Sequence, residues 1–331
     1  MTALGGNGAG DGAPLLRVRN LTKEFVVRAH RGGSTRLRAV DDLDLDLAPG
    51  ETVGLVGESG CGKSTAGRCI LRLIEPTAGT IHFDGIDFRS LKRQRLRRFR
   101  RHLQYVFQDP YSSLNPRMRV ADLVGEAIRV HGLRPKAEVR GRVTELLAIV
   151  GLGEADLDRY PHEFSGGQRQ RIGVARALAV EPRLIIADEP VSALDVSIQA
   201  QVLNLFIDLR EQFHLTYLFI SHNLSVVRHI SDRVVVMYLG RIVEEATAEQ
   251  LFAHPAHPYT RALLAAEPLP DPAHRADHVP LKGEVPSPID PPPGCPFHPR
   301  CPDAMPHCAT DVPAVHTLPG PQRVRCHLYS G

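Results

Sequence analysis

The sequence lacks long apolar runs, a large excess of charge and a recognisable leader, and each absence excludes a class of protein. No stretch approaches 18 consecutive apolar residues, so we expect no membrane-spanning helix. The net charge of only +3 gives no overall indication of binding to nucleic acid or to an anionic membrane. Residues 1–14 have no basic start and no apolar centre, so they are not a signal peptide, and their glycines predict a disordered segment.

Six cysteines without a signal sequence indicate metal ligation or free thiols rather than a disulfide framework. The 331 residues, 43% of them apolar, suffice for one large domain with an appendage or for two domains. A soluble cytoplasmic protein is therefore the expectation.

One segment matches the phosphate-binding pattern of glycine, four residues, glycine, lysine and serine or threonine. Its members are Gly57, Glu58, Ser59, Gly60, Cys61, Gly62, Lys63, Ser64 and Thr65. A short apolar strand, 52–56, precedes it and apolar residues at helical spacing follow it, which is the context this motif requires. Glycines let backbone N–H groups approach a phosphate, Lys63 can reach the outer phosphates, and Ser64 can ligate magnesium. The segment predicts binding of a nucleoside triphosphate.

The rest of the chain favours an α/β fold around a parallel sheet. Residues 15–47 read as strands of an antiparallel sheet, interrupted by a basic loop near 28–38. Apolar runs at 183–188 and 215–220 read as buried parallel strands, separated by a helix from about 198 to 213. Residues 118–150 look helical, and 234–245 reads as a hairpin. Ligands of such a sheet bind at the carboxyl edge of its strands.

Polar residues follow several of these strands and are candidates for chemistry. Asp188 and Glu189 close one apolar strand, where the first acid can hold magnesium and the second can orient or deprotonate water. Gln108 follows a short strand and can ligate magnesium or be a turn residue. His222 can contact the γ-phosphate or be structural.

A second anion site is predicted at Ser165, Gly166, Gly167 and Gln168, where a serine N-cap and two glycines open a helix. A nucleotide has one γ-phosphate. The helix that follows 57–65 and the helix that follows Ser165 begin far apart in sequence, so the two helix starts need not bind the same γ-phosphate within one copy. A head-to-tail pair of domains would let each copy close the other's site.

These motifs, and their order along the chain, resemble those of an ABC-transporter nucleotide-binding subunit, which is a P-loop NTPase. The resemblance rests on 57–65, Gln108, 165–168, 184–189, 192–195 and His222, and it covers about 15–264. It implies ATP and Mg²⁺ between two domains, with Ser64, Gln108 and Asp188 at the metal. It makes Glu189 the catalytic base, His222 the γ-phosphate switch, and Ser165–Gln168 and Asp195 contacts made across the dimer. Phe25 resembles the aromatic residue that stacks on adenine.

Three further segments, 107–116, 254–261 and 283–288, are similar to those of the oligopeptide/dipeptide importers, a group that includes nickel and some glycoside importers. The resemblance implies a second ATPase subunit (a copy or a paralogue), two membrane permease subunits, an extracytoplasmic solute-binding protein and a place on the cytoplasmic face of the membrane. Expected regions are 15–265 for the ATPase, with a helical part near 110–180, and 266–331 for a C-terminal extension.

Two alternatives to peptide import stay open. The same machinery can import nickel or another small solute. A non-transport ABC ATPase acting on nucleic acid is the other, but such proteins usually carry two cassettes or a coiled-coil insertion, and this chain has neither. A basic run at 89–101 is interpreted as a solvated helix that touches the domain through Leu91, Leu96 and Phe99, rather than as a nucleic-acid patch, so no nucleic-acid partner is predicted.

Sixteen of the 27 prolines lie between Pro268 and Pro321, so this part cannot form ordinary helices or a core of its own and is a linker or a stapled segment. It also holds Cys295, Cys301, Cys308 and Cys326. Four scattered thiolates favour a 4Fe–4S cluster. Zinc, with these cysteines or nearby His298, His307 or His327, and unligated thiols are the alternatives.

Overall fold

The computed structural model describes residues 12–28, 33–266 and 283–330. Residues 1–11 of the predicted disordered start lie outside this part. The strands are β1 (Leu16–Arg28), β2 (Ser34–Leu47), β3 (Thr52–Val56), β4 (Ala78–Phe83), β5 (Ile86–Asp87), β6 (Leu103–Val106), β7 (Leu184–Asp188), β8 (Thr216–Ile220), β9 (Arg233–Tyr238), β10 (Arg241–Thr247), β11 (Val315–Thr317) and β12 (Arg323–Arg325). The helices are α1 (Lys63–Ile70), α2 (Arg93–Phe99), α3 (Val120–His131), α4 (Val139–Ile149), α5 (Gly166–Leu178), α6 (Val196–Phe213), α7 (Leu224–Ile230), α8 (Ala248–Ala253) and α9 (Pro258–Ala265).

An eight-stranded sheet in the order β11-β12-β10-β9-β3-β8-β7-β6 organises the molecule. The neighbouring pairs β9–β3, β3–β8, β8–β7 and β7–β6 are parallel. Strands β10, β12 and β11 continue the sheet beyond β9 with antiparallel pairing. Strands β3, β7 and β8 are buried along their whole length, as expected for parallel strands whose two faces are both covered. The predicted α/β fold with a parallel core is confirmed.

A second sheet, in the order β2-β1-β4-β5, is antiparallel and is called the small sheet below. The alternation predicted at the end of β2 is confirmed, because Leu43, Leu45 and Leu47 are buried. The basic loop predicted near 28–38 is too long, because 34–38 belong to β2, and 29–32 of this prediction lie outside the described residues. Strand β2 begins at Ser34, because its residues continue the pairing with β1 as far as the Ser34–Arg28 pair.

The region predicted to be helical over 118–150 contains two helices, α3 and α4. Helix α3 ends at His131, and the following residue, Gly132, adopts the left-handed conformation with φ 62° and caps the helix. Val124, Val143 and Leu147 are fully buried where α3, α4 and α5 pack together. This helical unit places the start of α5, with its predicted anion site, at the surface.

The basic run at 89–101 forms the short helix α2 and a following 3₁₀ turn. Leu91, Leu96 and Phe99 pack against the core beneath the phosphate loop, as predicted. Phe99 makes an edge contact with Phe83 at a centroid distance of 5.7 Å. The charged side chains of this helix therefore form the outer face of a packed element.

The described part of the C-terminal extension, 283–330, adds strands β11 and β12 to the main sheet. The prediction of a linker or a stapled segment did not include this pairing with the main sheet. The prolines flank the strands, and Cys295, Phe297 and Cys308 are buried in a cluster shared with β9, β10 and α9. The segment has no core of its own because it uses that of the main sheet. Among the described residues, no helix is both long and apolar enough to cross a bilayer.

Candidate functional site

The phosphate loop joins β3 to α1 and is held by close backbone contacts that only glycine allows. A Cβ on Gly57 would lie 2.2 Å from the Met237 carbonyl oxygen, and a Cβ on Gly62 would lie 2.0 Å from that of Ala39. Both glycines have positive φ values, 150° and 106°, in which side chains are strained. The small sheet and the β9–β10 hairpin thus clamp the loop between them.

Lys63 is buried at the start of α1 and folds back onto the loop. Its Nζ donates hydrogen bonds to the carbonyl oxygens of Gly57 (2.7 Å) and Glu58 (3.0 Å). Cys61 and Cys69 are buried, as the packing interpretation predicted. Burial raises the pKa of both thiols, so each packs as a neutral group.

Ser64 and Asp188 meet beneath the loop. Ser64 Oγ donates to Asp188 Oδ1 at 2.8 Å, and the Tyr105 hydroxyl donates to Asp188 Oδ2 at 2.5 Å. Arg68 Nη2 lies 3.8 Å from the same carboxylate, which is 1% exposed. Burial and the charge of Asp188 raise the pKa of Tyr105, so this hydroxyl remains a donor. A hydroxyl and a carboxylate are oxygen ligands that fit Mg²⁺.

Three strand ends converge on the carboxylate of Glu189. Gln108 Nε2 lies 2.8 Å from Glu189 Oε2, and His222 Nδ1 lies 3.2 Å from the same oxygen. Glu189 has φ 46°, a left-handed conformation that is strained for this residue and is typical of functional positions. Its N–H donates to the Ile220 carbonyl oxygen at 2.9 Å, which fixes it beside β8. The structure thus brings together Gln108, Glu189 and His222.

Phe25 lies on β1 opposite Leu37 and is partly exposed. Lys23 Nζ lies 4.8 Å from the centroid of its ring. Strand β2 runs past the phosphate loop, where the Asp41 N–H donates to the Gly240 carbonyl oxygen at 2.9 Å. Phe25 therefore belongs to the small sheet that flanks the loop, and its part in binding adenine stays a prediction.

Ser165 caps α5 in the predicted manner. Its Oγ accepts the Gln168 N–H at 3.3 Å, and the Gln168 side chain accepts the Ser165 N–H at 3.0 Å. A Cβ on Gly167 would lie 2.4 Å from Ile198, so close packing of α5 on α6 requires glycine there. Gly166 faces Leu194, and the neighbouring Ser165 and Asp195 are exposed. These residues form a surface patch at the starts of α5 and α6.

The four cysteines of the extension line one small cavity together with His257 and Phe297. Burial raises the pKa of the Cys301 thiol to about 11 and also raises the pKa values of Cys295 and Cys326. Backbone N–H groups oppose this shift: those of Phe297 and His298 face Cys295, that of Asp303 faces Cys301, and that of Leu328 faces Cys326. The Met305 N–H donates to Cys308 Sγ at 3.4 Å. The sulfurs thus sit in an apolar cavity among donors that would stabilise thiolates.

A mixed group of histidine and cysteine shares two residues, Cys308 and His327, with the lining of this cavity. The ligand atoms of His307, Cys308 and His327 are all within 4.8 Å of one another. His298 Nδ1 instead lies 2.9 Å from the Cys295 carbonyl oxygen. Of the three histidines predicted as possible zinc ligands, two are therefore near a cysteine sulfur in a suitable arrangement.

Four residues at these sites were not predicted. Tyr105 and Arg68 contact Asp188, and Tyr259 and Arg300 contact Glu58 of the phosphate loop. Tyr259 lies within the 254–261 segment, which was recognised without a role for this residue. The sequence gives no local signal for Arg300, because its partner is 242 positions away.

Comparison with known proteins agrees with this geometry. Residues 40–192 match the ABC transporter family, and residues 243–308 match the family described as oligopeptide/dipeptide transporter, C-terminal region. A putative peptide import ATP-binding protein of Brucella ovis is 55% identical over 305 residues, which are 92% of this chain and 95% of that protein. The oligopeptide transport ATP-binding protein AppF of Bacillus subtilis is 52% identical over 323 residues, or 96% and 98% of the two chains.

Solved structures are similar in fold as well. The dimeric post-hydrolysis state of the ATP-binding cassette MJ0796, bound to ADP and Pi, superposes with a TM-score of 0.63 at 30% identity. The matched region covers 70% of this chain and 98% of the cassette chain. The phosphate loop, the residues gathered at Glu189 and the capped start of α5 thus occur in a chain whose length matches the sequence relatives and whose fold matches the solved cassette. The chain belongs to the ABC transporter family of ATPases, in the group that carries the oligopeptide/dipeptide transporter C-terminal region.

Proposed function

We propose that this chain is the ATP-hydrolysing subunit of an ABC importer that brings peptides into the cell. The observation that carries the catalytic part is the convergence of Gln108 and His222 on one oxygen of Glu189. The choice of peptides is supported by the relatives named for peptide and oligopeptide transport, which match nearly the whole chain. In this proposal residues 15–265 are the ATPase, with a helical part near 110–180, and 266–331 are the extension.

The proposed roles follow from the chemistry of each side chain. ATP lies on the loop 57–65, with Lys63 and the loop N–H groups at its phosphates. Ser64 and Asp188 hold Mg²⁺, which supplies charge neutralisation at the phosphates, and Gln108 contributes from the neighbouring strand end. Glu189 accepts the proton of the attacking water, and His222 holds the γ-phosphate. Phe25 is assigned to adenine stacking.

A second subunit completes the site. In the patch made by Ser165–Gln168 and Asp195, Ser165 and Asp195 are exposed and Gly166 and Gln168 are partly exposed. The N-terminus of α5 carries the partial positive charge that suits a phosphate. We assign this patch to the nucleotide of a partner, either a second copy or a paralogue. The similar solved cassette, which is described as dimeric, supports this arrangement.

The remaining partners are two membrane permease subunits and an extracytoplasmic solute-binding protein, which place the chain on the cytoplasmic face of the membrane. The segment around Gln108 is suited to contact the permeases, because Phe107 and Tyr111, on either side of it, are large and exposed by 36% and 60%. Gln108 links this surface to Glu189, so contact with a permease can reach the reacting group.

The extension is assigned a 4Fe–4S cluster on Cys295, Cys301, Cys308 and Cys326. Four cysteines lining one apolar cavity, with backbone N–H groups around their sulfurs, support it. Zinc is the rival. Among the described residues, the ligand atoms of His307, Cys308 and His327 lie within 4.8 Å of one another, and this mixed group of nitrogen and sulfur ligands suits zinc.

Two experiments test these assignments. The first compares uptake of labelled di- and oligopeptides with uptake of nickel in a strain that lacks this chain. Loss of peptide uptake with nickel uptake intact would support peptides as the transported solute, and the reverse pattern would refute them. Anaerobic purification, followed by an absorbance spectrum and assays of iron, sulfide and zinc, tests the cluster. A colourless, iron-free protein would rule it out.

A further inference from the structure

The C-terminal extension holds the side chain of the second residue of the phosphate loop. Arg300 Nη1 lies 2.7 Å from Glu58 Oε2, and Arg300 Nη2 lies 3.0 Å from Glu58 Oε1. The Arg300 side chain is 5% exposed and that of Glu58 is 25% exposed, so water screens this pair far less than a surface ion pair. A bidentate contact of this kind fixes the orientation of both groups.

Glu58 is also bound through its backbone. Its N–H donates to the Tyr259 hydroxyl at 2.9 Å, and its carbonyl oxygen accepts a hydrogen bond from Lys63 Nζ at 3.0 Å. The residue that Arg300 binds is therefore in direct contact with the lysine of the phosphate loop. A shift of Glu58 would move a partner of Lys63.

On the extension side, the same short turn carries Arg300 and two cysteines of the cavity. The Arg300 N–H donates to the Phe297 carbonyl oxygen at 3.0 Å, and the Cys301 N–H donates to that of His298 at 3.3 Å. The Phe297 ring packs on Tyr238 and Tyr259 at centroid distances of 5.3 and 5.4 Å. A change in the position of Cys301 must therefore move Arg300 or break this turn.

We propose that Arg300 is a positioning residue that transmits the state of the cysteine cavity to the phosphate loop, so that ATP affinity depends on the integrity of the cavity. Arg300 acts through Glu58 and does not touch the nucleotide. The inference rests on the proposed ATPase function, but it requires no particular metal, because it concerns the turn that joins Cys295 to Cys301. It gives the extension a role at the ATP site.

The first test measures the dissociation constant for a fluorescent ATP analogue, and kcat, on the full chain. Arg300→Gln should weaken binding about tenfold while kcat changes less than about twofold, as expected for coupling between sites. Glu58→Gln, which removes the other half of the pair, should weaken binding by about the same factor. Arg300→Lys should recover only part of the affinity, because lysine cannot bind in the bidentate mode. The reversed pair, Arg300→Glu with Glu58→Arg, should recover more of the affinity than Arg300→Lys does, because it again places an arginine opposite a carboxylate. Arg323→Gln is the matched control, since it removes an ion pair between the extension and Glu245 of β10, and neither residue lines the cysteine cavity.

The second test asks whether the cavity acts through this pair. Cys301→Ser should weaken binding of the analogue in the wild-type background and have little further effect in Glu58→Gln. Equal weakening in both backgrounds would overturn the proposal. If Cys301→Ser does not fold, Arg300→Gln combined with Glu58→Gln serves instead: a double variant no weaker than either single variant supports the pair, and additive losses overturn it. A wild-type chain that fails to bind the analogue overturns the proposed function too, whereas normal binding by every variant overturns only this inference.

Discussion

The side-chain amide of Gln108 lies 2.8 Å from Oε2 of Glu189, although 81 positions separate the two residues in the chain. His222 reaches the same oxygen from a third strand end. Because β6, β7 and β8 are adjacent and parallel, their carboxyl ends meet at one edge of the sheet. A single carboxylate oxygen thus connects the segment proposed to face the permease with the residue proposed to hold the γ-phosphate.

Replacing Glu189 with glutamine tests its role as the base. Glu189→Gln keeps the size of the side chain but removes the proton acceptor, so hydrolysis should fall by about 10²- to 10³-fold while ATP still binds. Steady-state phosphate release and binding of labelled ATP would be measured on the same preparation. Glu211→Gln, on the exposed face of α6, is the control. Undiminished hydrolysis in Glu189→Gln would remove Glu189 from the mechanism.

Two buried tyrosines provide a matched test of the contact with Asp188. The Tyr105 hydroxyl donates to this carboxylate, whereas the Tyr217 hydroxyl is buried and has no hydrogen-bond partner within the described ranges. Tyr105→Phe should lower the free energy of unfolding by about 2 kcal/mol, because a hydrogen bond to a charged group is lost. Tyr217→Phe should be neutral or stabilising, since it removes an unsatisfied polar group. Urea unfolding at pH 7 would measure both, and equal losses would contradict the structure.

The buried thiol of Cys69 makes stability depend on alkaline pH. Burial raises its pKa from 9.0 to about 11, so below pH 9 the thiol is neutral in both the folded and the unfolded chain. As the pH rises from 9 to 11, the unfolded chain loses this proton and the folded chain keeps it, so stability falls by up to about 3 kcal/mol. Cys69→Ala should show a shallower decline of the free energy of unfolding over this range. Parallel declines in the two proteins would contradict the assignment.

The parallel core and the residues at its edge could be predicted because their signals are local. Apolar runs such as 184–188 are long enough to indicate buried strands, and the acids, amide and histidine follow those runs directly. The rule that parallel strands share a carboxyl edge then places them near one another. Helix α3 ends where a glycine interrupts the pattern, and this break was missed because apolar residues continue at helical spacing beyond it.

Contacts of the extension could not be predicted in this way. Glu244 is fully buried, and its carboxylate accepts hydrogen bonds from the Ala256 and His257 N–H groups and from Gln322 Nε2. This network fixes the extension to β10, yet no periodicity in a proline-rich segment indicates which sheet edge it joins. The Arg300–Glu58 pair could not be predicted either, because its two residues are 242 positions apart and only the folded chain brings them together.

Mixing two inactive variants tests whether the patch at Ser165 serves a second copy. Ser165→Asp keeps an N-cap for α5 but places a negative charge where a phosphate is expected, and Lys63→Ala disables the loop. Neither variant alone should hydrolyse ATP. In a mixed dimer one site takes Lys63 from one chain and Ser165 from the other, both intact, so an equimolar mixture should regain about a quarter of wild-type activity if the subunits pair as equivalent copies. Ser165→Asn, a neutral cap, should stay active. Absence of recovery would contradict a self-dimer and direct the same test to a paralogous partner.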